Sequence, residues 1–194
     1  MKLNNYNNLL ELFLDQYNSQ DKNNIFLTNL GNPKYTLSWE KTYLLVNHLS
    51  SQISKDIKLG DRCILISENR PEWLISDLAI MLAGGISVPS YTTYTTKDYE
   101  YIIQDCEPSV IIVSNNVQFN KIKDILDYKN IKKIISFDRL DNLEFENYLC
   151  IDDVINKNHY YKNFESEVSL KRSDPACIIY TSGTQGNPKG VILS

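Results

Sequence analysis

The residues best suited to chemistry lie near the carboxyl end, in Ile178-Ile-Tyr-Thr-Ser-Gly-Thr-Gln-Gly-Asn-Pro-Lys-Gly-Val-Ile-Leu-Ser194. Gly183, Gly186 and Gly190 let backbone amides come close to an anion, and Thr181, Ser182 and Thr184 add hydroxyl donors. Lys189 adds a positive charge, and Pro188 fixes the backbone that delivers it. Together these groups suit a polyphosphate. A Walker loop would read Gly-x-x-x-x-Gly-Lys-Ser/Thr and open a helix. Counted from Gly183, Lys189 is in register, but Pro188 stands where the second glycine belongs and Gly190 where the hydroxyl residue belongs. Val191-Ile-Leu then reads as strand, so the Walker register fails on two positions and on context.

A loop of this kind needs strands to present it. Asp174-Pro175 breaks the chain just before Ala176-Cys-Ile-Ile-Tyr180, a run that reads as a buried strand leading into the loop. Upstream, short β-rich runs alternate with helical ones, which predicts parallel strands with helices packed on them. The strands are expected at Cys63–Ser67, Ile86–Ser90, Val110–Ser114 and Lys133–Phe137. Between them, Pro71 opens a helix with Leu74, Leu78 and Leu82 on one face, and Gly84-Gly85 ends it. Tyr99, Ile102, Ile103 and Cys106 recur at helical spacing behind a Thr95/Asp98 capping box, and a third helix is expected over 118–128. Nearer the amino terminus, Asn29-Leu-Gly-Asn-Pro33 between two apolar runs predicts a β-hairpin, and Ser38 caps a helix over about 39–54. A short helix is expected over 9–17. The fold class is therefore α/β, a mostly parallel sheet with helices on both faces and an N-terminal hairpin. Residues 35–137 carry the βαβ repeats, 138–174 form a connecting region with weak helices near 151–156 and 164–170, and 175–194 form the strand-loop-strand.

The other totals narrow the function classes. The net charge of -4 gives no electrostatic ground for nucleic acid, whose backbone selects clustered Lys and Arg. Cys63, Cys106, Cys150 and Cys177 lie far apart with no metal-ligand spacing and read as buried thiols in a reducing compartment. The amino terminus lacks a signal-peptide core, and the longest apolar segment, Leu78 to Pro89, is too short to span a bilayer. A cytoplasmic location follows, with peripheral membrane contact left open. His48 and His159 have no spaced partner and read as helix-face or surface residues, and Arg70 and Glu72 as helix-start residues. Trp73, Leu74 and Leu78 read as a core stripe, and Tyr91-Thr-Thr-Tyr-Thr-Thr96 as a solvated loop with an N-cap.

At the glycine-rich stretch the sequence resembles the adenylate-forming superfamily of acyl-CoA synthetases, peptide-synthetase adenylation domains and luciferases. Thr181-Ser-Gly-Thr-Gln-Gly-Asn-Pro-Lys-Gly190 is similar to the signature Thr-Ser-Gly-Thr-Thr-Gly-x-Pro-Lys-Gly, departing only at Gln185, whose amide still donates a hydrogen bond. Glu68-Asn-Arg-Pro-Glu-Trp73, Asp77-Leu-Ala-Ile-Met-Leu-Ala-Gly-Gly85 and Val88-Pro-Ser-Tyr-Thr-Thr93 look like the long-chain fatty acyl-CoA synthetase branch, so the likeness runs from about residue 35 onward.

The resemblance implies ATP, Mg2+, a fatty acid and coenzyme A as small-molecule partners. It assigns Thr181, Ser182, Gly183, Thr184, Gln185, Gly186, Lys189 and Gly190 to the ATP phosphates and gives Thr181 a share of the magnesium. It also implies that the adenine pocket, the acyl tunnel, the coenzyme A site and a catalytic lysine on a C-terminal domain all lie downstream. No catalytic residue is then expected in these 194 residues, which would be the N-terminal part, roughly a third, of an enzyme and inactive alone. Two alternatives stay open: adenylation of another carboxylate, such as an aromatic or amino acid, and a nucleotide- or partner-binding module completed in trans by a downstream polypeptide.

Overall fold

The computed structural model describes residues 6–157, 169–181 and 188–194. The first elements are α1 (Leu9–Ser19), β1 (Ile25–Asn29), β2 (Asn32–Ser38) and α2 (Trp39–Ile53), and β1 pairs with β2 as the expected antiparallel hairpin. Asn8 and Ser38 cap the two helices by accepting from the amides of Glu11 and Lys41.

The βαβ series follows as β3 (Arg62–Ile66), α3 (Pro71–Leu82), β4 (Ile86–Ser90), α4 (Thr96–Cys106), β5 (Val110–Val113), α5 (Asn116–Asn120) and β6 (Lys133–Ser136). Pro71 sits in the first turn of α3. Gly84, with φ +83, closes that helix: its amide donates to Met81 O and the Gly85 amide to Ile80 O, a pairing that only a left-handed residue permits cheaply. The capping box at α4 is present, with Thr95 and Asp98 each accepting from the other's amide.

Two details differ from expectation. The helix foreseen over 118–128 is only α5, Asn116–Asn120, capped by Asn115. Beyond it the amides of Lys121, Ile122 and Ile125 reach three residues back to Gln118, Phe119 and Ile122, so the chain tightens into turns while still burying Phe119, Ile122 and Leu126. The connecting region also contains a strand, β7 (Tyr148–Cys150), followed by α6 (Ile151–Lys157). Three residues are too few for an alternation signal, which is why β7 was not foreseen. The weak helix expected near 164–170 and His159 lie almost entirely outside the described residues. The chain then returns as β8 (Cys177–Thr181) and β9 (Lys189–Leu193).

The main sheet runs in the order β7-β6-β5-β3-β4-β8-β9, parallel throughout except for the antiparallel β8–β9 pair. Alternating strand residues feed two cores. Cys63, Leu65, Val110, Ile112 and Ile135 meet α1, α2, α3 and α6 on one face. Ile64, Ile66, Ile111, Val113 and Ile134 meet α4 and α5 on the other. The chain leaves β3 toward β4 but leaves the adjacent β5 toward β6, so the winding reverses between β3 and β5. In open parallel sheets ligands gather at the carboxyl edge beside such a reversal.

Candidate phosphate-binding site

Thr181 ends β8 on the same edge at which β3, β4, β5 and β6 end, because β8 runs parallel to β4. In the β8–β9 register Thr181 faces Lys189 and Tyr180 faces Gly190. Thr181 and Lys189 are both exposed and form a cross-strand pair, which puts the two residues on one face at the root of the loop. Ser182, Gly183, Thr184, Gln185 and Gly186 lie outside the described residues. Among the described residues no cluster of three or more His, Cys, Asp or Glu could hold a metal. A magnesium ion carried in on phosphate oxygens would need only hard oxygen donors, and the exposed Thr181 hydroxyl fits that chemistry.

Gly190 has a second reason to be glycine. A Cβ there would fall 2.9 Å from Ile178 Cγ2 and 3.3 Å from Tyr180 Cζ, so the side chains of β8 close over its backbone. Tyr180 is 3% exposed, and its hydroxyl donates to Asp105 Oδ2 of α4 at 2.5 Å. Burial and then that carboxylate push the Tyr180 phenol well above its ordinary range.

The tyrosine-rich run is more than a solvated loop. Thr95 is the N-cap, as expected, and Tyr91 is exposed, but the Tyr94 hydroxyl donates to Tyr180 O at 3.2 Å. The Tyr99 hydroxyl donates to Tyr91 O at 2.7 Å, and Lys121 Nζ donates to Thr92 O. The turn after β4 is thereby tied to α4, α5 and β8 together.

Sequence reasoning missed two polar groups on this edge. At the winding reversal, the Gln118 amide of α5 donates to Glu68 Oε1 at 2.8 Å. Burial acts to raise the Glu68 pKa, but the nearby Ser114 hydroxyl, its own backbone and the Gln118 amide hold it below the usual range. Arg70 stands at the start of α3 as expected, with no capping bond from its side chain, and its guanidinium instead reaches Asp138 at 2.8 and 3.0 Å and Glu72 at 3.0 Å. It lies 5.4 Å from the Phe137 ring centroid, and Glu72 is 1% exposed. Spacing could not reveal a pair separated by 68 residues. The core readings for Leu78, with Trp73 and Leu74 packed beside it, hold. Cys63, Cys106 and Cys150 are buried, and Cys177 is half-buried.

Comparisons with known proteins bear on the family and the fold. A family model described as AMP-binding enzyme matches residues 14–194. The long-chain-fatty-acid CoA ligase ACSBG2 of Mus musculus is 32% identical over 169 residues, covering 82% of this chain and 25% of its own length. ACSBG1 of Rattus norvegicus, also a long-chain-fatty-acid CoA ligase, is 28% identical over 163 residues, covering 81% of this chain and 23% of its own. The chain thus spans about a quarter of these relatives' length. Two solved structures share the fold. One is the anthranilate CoA ligase AuaEII in complex with anthranoyl-AMP, with a TM-score of 0.77 at 23% identity over 96% of this chain and 34% of that one. The other is ATP-bound MatB from Rhodopseudomonas palustris, with a TM-score of 0.73 at 22% identity over 97% of this chain and 35% of that one. The family match over nearly the whole length, on a fold that brings Thr181 and Lys189 face to face, leads to one conclusion: the chain belongs to the AMP-binding enzyme family, within the adenylate-forming superfamily.

Proposed function

We propose that this chain supplies the phosphate-gripping part of an ATP-dependent long-chain fatty acid CoA ligase. In that reaction the fatty carboxylate attacks the α-phosphorus of ATP and pyrophosphate departs. The thiol of coenzyme A then takes the acyl group from the adenylate and releases AMP. The observation that carries the reading is the facing of Thr181 and Lys189 at the base of a glycine-rich loop on the carboxyl edge of the sheet. Lys189 neutralises charge growing on the departing pyrophosphate, together with loop amides and the side chains of Ser182, Thr184 and Gln185, an electrostatic role rather than proton transfer. Thr181 lends an oxygen to magnesium. The names of the sequence relatives support a long-chain fatty acid as the carboxylate.

The acyl and coenzyme A sites belong to other parts of the polypeptide. The edge of β9, with Val191, Ile192 and Leu193 exposed, fits a further strand supplied in cis or in trans. Among the described residues no helix is long and apolar enough to cross a membrane. The reading places the reaction in the cytoplasm, which suits four free cysteines.

The test is titration calorimetry of the 194-residue chain with magnesium tripolyphosphate, a probe that needs no adenine pocket. Loss of one charge-assisted contact in Lys189→Ala should weaken binding about ten-fold or more. Equal affinity of the parent and Lys189→Ala would overturn the reading.

A further inference from the structure

Resting on that reading of the loop, we infer that Tyr180 and Tyr94 form a bracket, closed on the outside by Asp105, that positions Thr181 and Lys189 for the phosphates. The need for a bracket lies in the strand pairing. On one side β8 has a full ladder to β9, from Cys177↔Leu193 to Thr181↔Lys189. On the other side its register with β4 consists of Ser87↔Cys177 alone, next to the bond from the Ser87 amide to Ala176 O. Past Cys177, among the described residues, the register with β4 does not continue while the ladder to β9 does, and it leads to Thr181.

Side chains take over where that ladder stops. The Tyr94 hydroxyl donates to Tyr180 O at 3.2 Å, supplying to this carbonyl a donor from the turn after β4. The Tyr180 ring is packed edge-on against Tyr101 of α4, with centroids 6.5 Å apart, and lies under the Gly190 backbone. Its hydroxyl is fixed by Asp105 Oδ2 at 2.5 Å. Tyr94 is itself held edge-on between Tyr91 and Tyr99, with centroids at 5.4 and 5.9 Å. The same aromatic side chain thus touches α4 and β9, while its backbone is held by the turn. These contacts set the height and twist of β8 one residue before Thr181, and through the Tyr180↔Gly190 pair they set β9 one residue after Lys189. Tyr180, Tyr94 and Asp105 are positioning residues, since none of them needs to touch a phosphate. Asp105 is exposed, so water competes for its hydrogen bond and its share is the smaller one.

The experiment compares Tyr94→Phe, Asp105→Ala, Asp105→Asn and the Tyr94→Phe/Asp105→Ala double variant in the 194-residue chain, again with magnesium tripolyphosphate as the calorimetric probe. Loss of one hydrogen bond should weaken binding about three-fold in Tyr94→Phe and up to that in Asp105→Ala, and about ten-fold in the double variant. Asp105→Asn keeps an acceptor and should stay within about two-fold of the parent, a rescue that general loosening would not produce. If Lys189→Ala loses binding while the double variant keeps it, the bracket is wrong and the phosphate reading stands. If the parent shows no binding, the phosphate reading falls, and amide exchange then decides the bracket without any ligand. Faster exchange at Thr181 and Lys189 in the double variant, with α2 and α3 amides unchanged, supports it, and parent rates at Thr181 and Lys189 overturn it.

Discussion

Gly190 shows how one position answers two demands. Its sequence neighbourhood suggests an amide close to an anion, and its structural neighbourhood shows a backbone roofed by Ile178 and Tyr180. An added methyl group 2.9 Å from Ile178 Cγ2 must push aside a branched side chain or lift β9 off β8. Gly190→Ala should therefore lower stability by about 1–3 kcal/mol in urea unfolding, in contrast to the near-neutral outcome expected for an open, exposed strand position. The candidate loop residues could be singled out from the sequence because glycine, hydroxyl and lysine types at fixed offsets carry chemistry locally. The Tyr180–Asp105 and Arg70–Asp138 pairs were not, since 75 and 68 residues separate the partners and only the folded sheet brings them together.

Among the described helices, α3 is the most deeply set, with Ile75, Leu78, Ala79 and Ile80 almost wholly buried between α2 and the sheet. That same helix carries Asp77, which is 8% exposed and lines a cavity of about 430 Å³ with Trp73, Met81, Pro89 and Ile179. Burial pushes the Asp77 carboxyl up, and the nearby Ser87 hydroxyl only partly opposes this. A carboxyl whose folded pKa is raised holds its proton more tightly in the folded state, so its favourable contribution is complete below the unfolded value, near 3.9, and is lost as pH rises through the folded value. Asp77→Asn should remove that loss, raising stability at pH 7 relative to the parent and flattening the acid side of the profile; thermal melts from pH 4 to 7 give the comparison. The strands and helices around α3 were foreseeable because hydrophobic period and capping agree there, as at Thr95/Asp98 and Gly84. Agreement failed at α5 and β7: a good apolar period over 118–128 gave way to turns, and a three-residue strand left no period to read.

At the scale of the molecule, the sheet order places the reversal at β3–β5, the tyrosine-rich turn and the loop root along one carboxyl edge, built from consecutive βα connections, which is where open parallel sheets gather ligands. The relatives are about four times as long, and fatty acid activation needs an acyl site and a thiol site besides a grip on phosphate. The 194-residue chain alone should accordingly show no ATP–pyrophosphate exchange with a long-chain fatty acid. Exchange above the no-enzyme rate, measured with labelled pyrophosphate, would refute this. The unpaired margin of β9 has a further consequence, for how such a chain behaves while it is being made. Among the described residues β9 is the last strand in the sheet order, and Val191, Ile192 and Leu193 are 44%, 62% and 44% exposed, so its outer margin is a template for sticking to the same strand of another copy. During synthesis on a ribosome such a margin is a hazard until something pairs with it, so the length of that interval bears on how much of the chain escapes aggregation.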